Sequence, residues 1–175
     1  AKPGLAVQSD GAWGQNPVLR GLKKESVVVM VDGLRLNSAQ PQGAIASFMD
    51  LGLLDRVEVV KGPGSVLYGS GAIGGVVNLI TPEARFTAED TFGGRVGARL
   101  SSVDKGVAGA LLVQRSNADH ALVLGVAGSD VGDYRSPDGR EDNTGYQSNT
   151  VLVKYRQRLN EDISLRLNLQ RHADE

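Results

Sequence analysis

Three groups of residues in this 175-residue chain have the types and spacing to do chemistry. Gly69-Ser-Gly71-Ala-Ile-Gly74 satisfies G-x-G-x-x-G, the pattern whose backbone amides can hold a pyrophosphate at a helix N-terminus. Asp130, Asp133, Asp138, Glu141, Asp142 and Asn143 crowd one segment with the oxygen ligands that calcium takes. Asn37, Ser38, Gln40 and Gln42 offer amides and hydroxyls that can donate and accept hydrogen bonds to a polar ligand. The chain has no cysteine, which excludes a thiolate nucleophile and a cysteine metal site.

The elements around these groups decide which chemistry survives. A dinucleotide site needs a helix directly after its glycines, yet Gly75-Val-Val-Asn-Leu-Ile-Thr-Pro82 reads as a strand ended by proline. No Gly-Lys-Ser or Gly-Lys-Thr follows, so a phosphate-binding loop fares no better. The acidic segment matches no EF-hand spacing and reads better as a hydrated outer loop. There is no G-x-S-x-G elbow and no H-E-x-x-H helix, and the only histidines, His120 and His172, lie far apart in sequence. The chain is therefore read as a protein without an enzymatic role, a cofactor or a metal.

The most informative stretch runs from Arg56 to Pro82. Two β-branched runs, Val57 to Val60 and Val76 to Thr81, flank a connection with six glycines: Gly62, Gly64, Gly69, Gly71, Gly74 and Gly75. Glycine at that density marks backbone that turns through positive φ or passes close to another wall. Between Gly64 and Gly69 the sequence predicts one helical turn that plants Leu67 and Tyr68 against a core. Arg56 and Glu58 alternate with Val57 and Val59 and give this strand one polar face.

Composition changes near Pro82 to Asp90, which divides the chain into residues 1–85 and 86–175. Before the change the strands are short and heavily apolar, as in a sheet covered on both faces. After it the period is two. Ile163, Leu165, Leu167 and Leu169 alternate with Ser164, Arg166, Asn168 and Gln170, and weaker alternation covers residues 92–101 and 150–156. The runs Val107 to Gln114 and Ala121 to Gly128 are apolar on both faces, with small residues that leave room for something inside. Each run can supply the roughly 9 to 11 residues of a tilted strand crossing a bilayer. The connections at Asp104-Lys105, Asn117-Ala-Asp119 and Asn160-Glu-Asp162 are tight, and the one from Val131 to Tyr146 is long. Short periplasmic turns and long outer loops are the habit of outer-membrane barrels. A soluble β meander or sandwich, serving as a binding module, would also alternate. Nothing approaches the ~18 apolar residues of a membrane-spanning helix, and a net charge of −1 without a basic stripe gives no case for nucleic acid.

Four motifs in order, Asn16-Pro-Val-Leu-Arg-Gly21, Val27-Val-Val-Met-Val-Asp-Gly33-Leu-Arg-Leu-Asn37, Arg56 to Pro63 and Tyr68 to Pro82, resemble the plug domain of TonB-dependent outer-membrane receptors. Gly62, Pro63, Tyr68, Gly69, Gly74, Gly75 and Asn78 are the motif positions that carry the likeness. It implies an α+β plug with a small mixed sheet, missing its N-terminal part, followed by antiparallel transmembrane β-barrel strands, the first five of 22. It implies a receptor in the cell outer membrane of a Gram-negative bacterium, surrounded by outer-membrane lipid. Such a receptor imports a scarce nutrient by energy-coupled plug rearrangement, with TonB, ExbB and ExbD as partners.

The TonB box would precede the plug part seen here and is expected to be absent, as if the chain were a fragment. By the same likeness Arg20 and Lys61 pair with glutamates of the inner barrel wall beyond residue 175; as bare residues they also read as solvated surface charges. Arg56 and Glu58 would then face the lumen, and Asn37, Ser38, Gln40 and Gln42 would meet substrate on an apical loop. Ferric siderophores are the default cargo. Cobalamin is next, because Asp32-Gly-Leu-Arg-Leu-Asn37 resembles that branch. Haem is disfavoured, since the apical loop has neither histidine nor tyrosine.

Overall fold

The computed structural model describes residues 3–9, 15–36, 49–137 and 139–174. The chain divides into two compact units, one made of Ala1–Phe48 with Leu54–Thr81, the other of Met49–Leu53 with Pro82–Glu175.

The first unit begins with an antiparallel hairpin, β1 (Leu5–Ser9) and β2 (Gln15–Leu19). Its main sheet has β3 (Val27–Val31), β4 (Leu34–Arg35), β5 (Arg56–Lys61) and β6 (Gly75–Ile80), in the order β4-β3-β6-β5. The sheet is mixed: β3 runs parallel to β6, and β5 runs antiparallel to it. Val27, Val28, Val29 and Val31 on β3 and Val76, Val77 and Leu79 on β6 are buried, because these central strands are covered on both faces. Strand β5 departs from that expectation. It lies at the sheet edge, and Val57 and Val60 remain about half exposed beside Arg56, Glu58 and Lys61.

The turn from β3 to β4 is Asp32-Gly33, with both residues at positive φ, the backbone a two-residue hairpin of this twist requires. Asn78 of β6 and Thr81, just after that strand, lock it. Thr81 donates its backbone N–H to Asp32 Oδ1 at 2.9 Å and its hydroxyl to Oδ2 at 2.6 Å, and the Gly33 N–H donates to Asn78 Oδ1 at 3.1 Å.

The predicted helical turn is present as α1 (Ser65–Tyr68). Tyr68 packs against Val28, Ala72 and Val76 as expected. Leu67 does not: it is 81% exposed, and Val66 is fully exposed. A single turn offers one inward direction, and Tyr68 takes it.

The second unit is a five-stranded antiparallel meander of β7 (Thr91–Leu100), β8 (Val107–Ser116), β9 (His120–Val131), β12 (Tyr146–Arg158) and β13 (Ser164–Asp174). A small hairpin, β10 (Arg135–Ser136) with β11 (Gly139–Arg140), sits within the long connection. Strands β9 and β12 extend well past their alternating stretches, because ladder hydrogen bonds continue where side-chain polarity stops alternating.

The registers sort side chains into two faces. One carries Leu165, Leu167, Leu169, Val153, Val151, Leu124, Val126, Leu111, Val96 and Phe92. The other carries Leu112, Ala121, Val123, Gly125, Ala127 and Leu152, and on this face a 3₁₀ turn, Leu51–Leu53, is seated.

Candidate functional site

The glycine-rich connection of the first unit is held by its own backbone. The Gly62 N–H donates to the Gly74 carbonyl at 3.0 Å, Gly64 to Ala72 at 2.7 Å, and Gly74 to Ser26 at 2.7 Å. Gly75 has φ +142°, and a Cβ there would collide with the carbonyl oxygen of Val60, so the close pairing of β5 with β6 requires glycine. Gly62 and Gly69 also turn at positive φ, and Pro63 is exposed between strand and turn. No helix follows the Gly69–Gly74 pattern; β6 does.

Two of the four singled-out charges hold each other. Arg56 donates to Glu58 at 2.8 Å and to Asp55 at 3.0 Å, and those carboxylates, Glu58 first, raise its already high pKa. All three side chains are about half exposed, so the contacts orient more than they stabilise. Lys61 donates its ammonium to the carbonyl of Pro3, just ahead of β1. Arg20 is exposed at φ +51° directly after β2. The amide residues Asn37, Ser38, Gln40 and Gln42 lie outside the described residues.

Arg35, at the end of β4, was not singled out by sequence reasoning. Its guanidinium lies 3.3 Å from where a Cβ at Gly69 would stand and 3.4 Å from the same point at Gly71. The guanidinium thus lies over the Gly69-Ser-Gly71 bend, close to both of its glycines. Proximity across more than thirty residues leaves no local pattern to find.

In the second unit the seated turn defines the inner face. Leu53 is fully buried among Ala84, Leu112, Ala121, Val123, Ala127 and Leu152, with Phe86 and Ala110 packed alongside. The room predicted from the small residues of β8 and β9 is therefore filled by the chain itself. Met49, also buried, accepts a contact from Gln170 Nε2 at 3.1 Å.

The long outer connection is built around Asp133. Its Oδ1 accepts the N–H groups of Thr144 and Gly145, both at 2.9 Å, and its Oδ2 accepts from Arg140 at 2.8 Å. The arginine, then the two amides, hold its carboxyl below the ordinary carboxylate range. Both carboxylate oxygens of Asp133 are thus engaged by the loop's own donors, and Asp138 lies outside the described residues.

Residues 2–76 match the family model of the TonB-dependent Receptor Plug Domain. The vitamin B12 transporter BtuB of Vibrio vulnificus (strain CMCP6) is 33% identical over 168 residues, which make up 93% of this chain and 26% of the relative. The hemin receptor of Yersinia enterocolitica is 33% identical over 172 residues, 95% of this chain and 25% of its own length. Among solved structures, the copper transporter OprC superposes with a TM-score of 0.80 at 24% identity, covering 98% of this chain and 26% of that one. The pyoverdine outer membrane receptor FpvA from Pseudomonas aeruginosa PAO1 gives 0.74 at 21%, covering 98% and 24%. At those identities the structural likeness speaks for the fold. The chain spans about a quarter of the length of these relatives. With a plug-family match over most of the first unit, a barrel-type meander in the second and relatives that align across both, the chain belongs to the TonB-dependent receptors, of which it carries a plug and five barrel strands.

Proposed function

We propose that the receptor carrying this chain lies in the outer membrane of a Gram-negative bacterium and imports a scarce metal chelate. The observation that carries the reading is a plug fold joined in one chain to a meander with one aliphatic face and one face of small and polar residues. An aliphatic face suits lipid, and a lined inner face suits a plugged lumen.

The work is a conformational one without a covalent step. Substrate contacts at Asn37, Ser38, Gln40 and Gln42 favour one arrangement of the plug, and TonB, energised through ExbB and ExbD, remodels it. Arg20, Arg56, Glu58 and Lys61 orient the plug by their charges. The domains divide near residue 85, a reading supported by compact units that part at Thr81 and Pro82.

A ferric siderophore is the first cargo, on the family's habit. Cobalamin is the second reading, favoured by the identity to the Vibrio transporter. The test is energy-dependent uptake of ferric siderophores, cobalamin and haem by cells expressing the full-length receptor, with and without TonB. Uptake of one compound that disappears without TonB is the expected result. Equal uptake in both strains would remove the transport reading.

A further inference from the structure

Two stretches belong to the second unit without being strands of its meander: the Met49–Leu53 turn and the residues that follow Pro82. They come from either side of β5, α1 and β6 in the chain, yet they meet on one face. Leu53 and Ala84 are buried in a single cluster with Leu112, Val123 and Leu152.

Each stretch has its own fastening. The turn is stiffened from within, since Asp50 accepts the Gly52 N–H on its carboxylate at 2.7 Å and the Leu53 N–H on its backbone carbonyl at 3.1 Å. A Cβ at Gly52 would stand 2.6 Å from that of Ala110, so the backbone of the turn rests directly on β8. Met49 is tied to β13 through Gln170 at 3.1 Å. In the other stretch, the guanidiniums of Arg156 and Arg158 each lie 4.8 Å from the centroid of the Phe86 ring, a cation–π grip supplied by β12. Glu83 meets Arg166 of β13 at 3.4 Å. From Arg158 to Leu152 on β12, the rise of a strand makes this covered strip about 20 Å long.

The chain between the two fastenings is closed at its base. The Asp55 N–H donates to the Ile80 carbonyl at 2.8 Å, and Arg56 is the register partner of Ile80. If one stretch lifts, the other holds it near its seat, and the effective concentration set by a short tether favours its return. Clearing the face requires both to lift together, which opens the buried cluster to water.

We propose that the two stretches form a double anchor that stays seated throughout the transport cycle and closes the inner face of β8, β9 and β12 to cargo. The inference rests on the transport reading above and deepens it. Cargo passes along the rest of the barrel wall, and remodelling of the plug leaves Met49–Leu53 and residues 83–86 in place.

Two measurements on the full-length receptor test the anchor. In cells, Met49→Cys/Gln170→Cys, in a background without other cysteines, is bridged with a short bifunctional maleimide, which ties the turn to β13 and leaves the Leu53 seat untouched. TonB-dependent uptake of whichever ferric siderophore, cobalamin or haem the unbridged receptor imports is compared before and after bridging. Uptake unchanged by the bridge is the expected result. Its loss on bridging overturns the anchor, because the turn must then leave its seat for cargo to pass.

In the purified receptor, amide hydrogen exchange is followed in Phe86→Ala. Because the two stretches share one seat, exchange at residues 49–53 as well as at 83–86 should quicken about tenfold or more relative to β9 and β12. A change confined to residues 83–86 overturns the double anchor. This arm needs no transport. Absence of TonB-dependent uptake in the parent would defeat the transport reading alone, and the exchange result would still decide whether the two stretches hold each other.

Discussion

Leu53 occupies the space that a side chain at Gly125 would need: a Cβ at position 125 would stand 3.0 Å from Leu53 Cδ2 and 3.4 Å from Leu152 Cβ. The seat is thus cut to one side chain. Leu53→Ala should destabilise the second unit by about 2–5 kcal/mol, the transfer cost plus the cavity. Gly125→Leu should displace Leu53 instead. Amide hydrogen exchange of the full-length receptor would read both, as faster exchange across residues 49–53. Protection unchanged in Gly125→Leu would mean that the turn is held by something other than this seat.

The bond set between Asp32 and Thr81 joins the start of the first sheet to its end. Asp32→Ala leaves the buried Thr81 N–H and hydroxyl without these acceptors and should cost about 2–4 kcal/mol. Asp32→Asn keeps an acceptor for the amide and should cost roughly half of that. Urea midpoints for the two variants, compared with the parent, measure the difference. Equal losses would show that backbone strain at position 32, not the carboxylate, governs this turn.

Gly75 and Gly62 separate two meanings of glycine. Both have positive φ, but a Cβ at Gly75 strikes the Val60 carbonyl, whereas one at Gly62 meets nothing within 4 Å. Gly62→Ala should therefore cost about 1–2 kcal/mol of backbone strain. Gly75→Ala should cost about 4 kcal/mol or more, because β5 must leave β6 to admit it. Folded receptor recovered in the outer membrane, scored by heat-modifiable migration on gels, should fall sharply for the second variant and little for the first.

The outer loop should respond to acid. The carboxyl of Asp133 titrates below its unfolded value, so its contribution is fully present above the ordinary aspartate pKa of about 3.9 and is lost as pH falls through the lower, folded pKa. Spin labels or fluorophores on residues 139 and 145 should report loosening only in that acid window. Asp133→Asn should show a loosened loop at neutral pH and no further change on acidification. A loop whose mobility ignores both the substitution and the acid would place its order elsewhere.

How much of this was legible in the sequence depends on the range over which each feature is specified. The aliphatic stripe from Ile163 to Leu169 declares its face locally, because alternation is a property of a few neighbouring residues. The six glycines of the Arg56 to Pro82 stretch likewise announce a shaped turn. Tyr68 and Leu67 sit side by side with similar apolar character, and only the path of the surrounding chain selects which one points inward. The seat of Leu53 and the position of Arg35 over Gly69 and Gly71 join residues that no periodicity links.

The hairpin and the main sheet of the first unit respond differently to being pulled. Leu5 and Leu19 are partners at the open end of β1 and β2, so tension entering at one and leaving at the other parts the hairpin rung by rung, like a zipper. Strands β3 and β6 run parallel, Val27 beside Gly75 and Val31 beside Leu79. Tension entering at Val27 and leaving past Ile80 loads their rungs together, in shear, and a shared load takes far more force to break than a sequential one. A single-molecule extension trace would show the hairpin yielding early and the sheet holding, which makes the fold a graded fuse: slack is released at its leading edge while its centre stays whole.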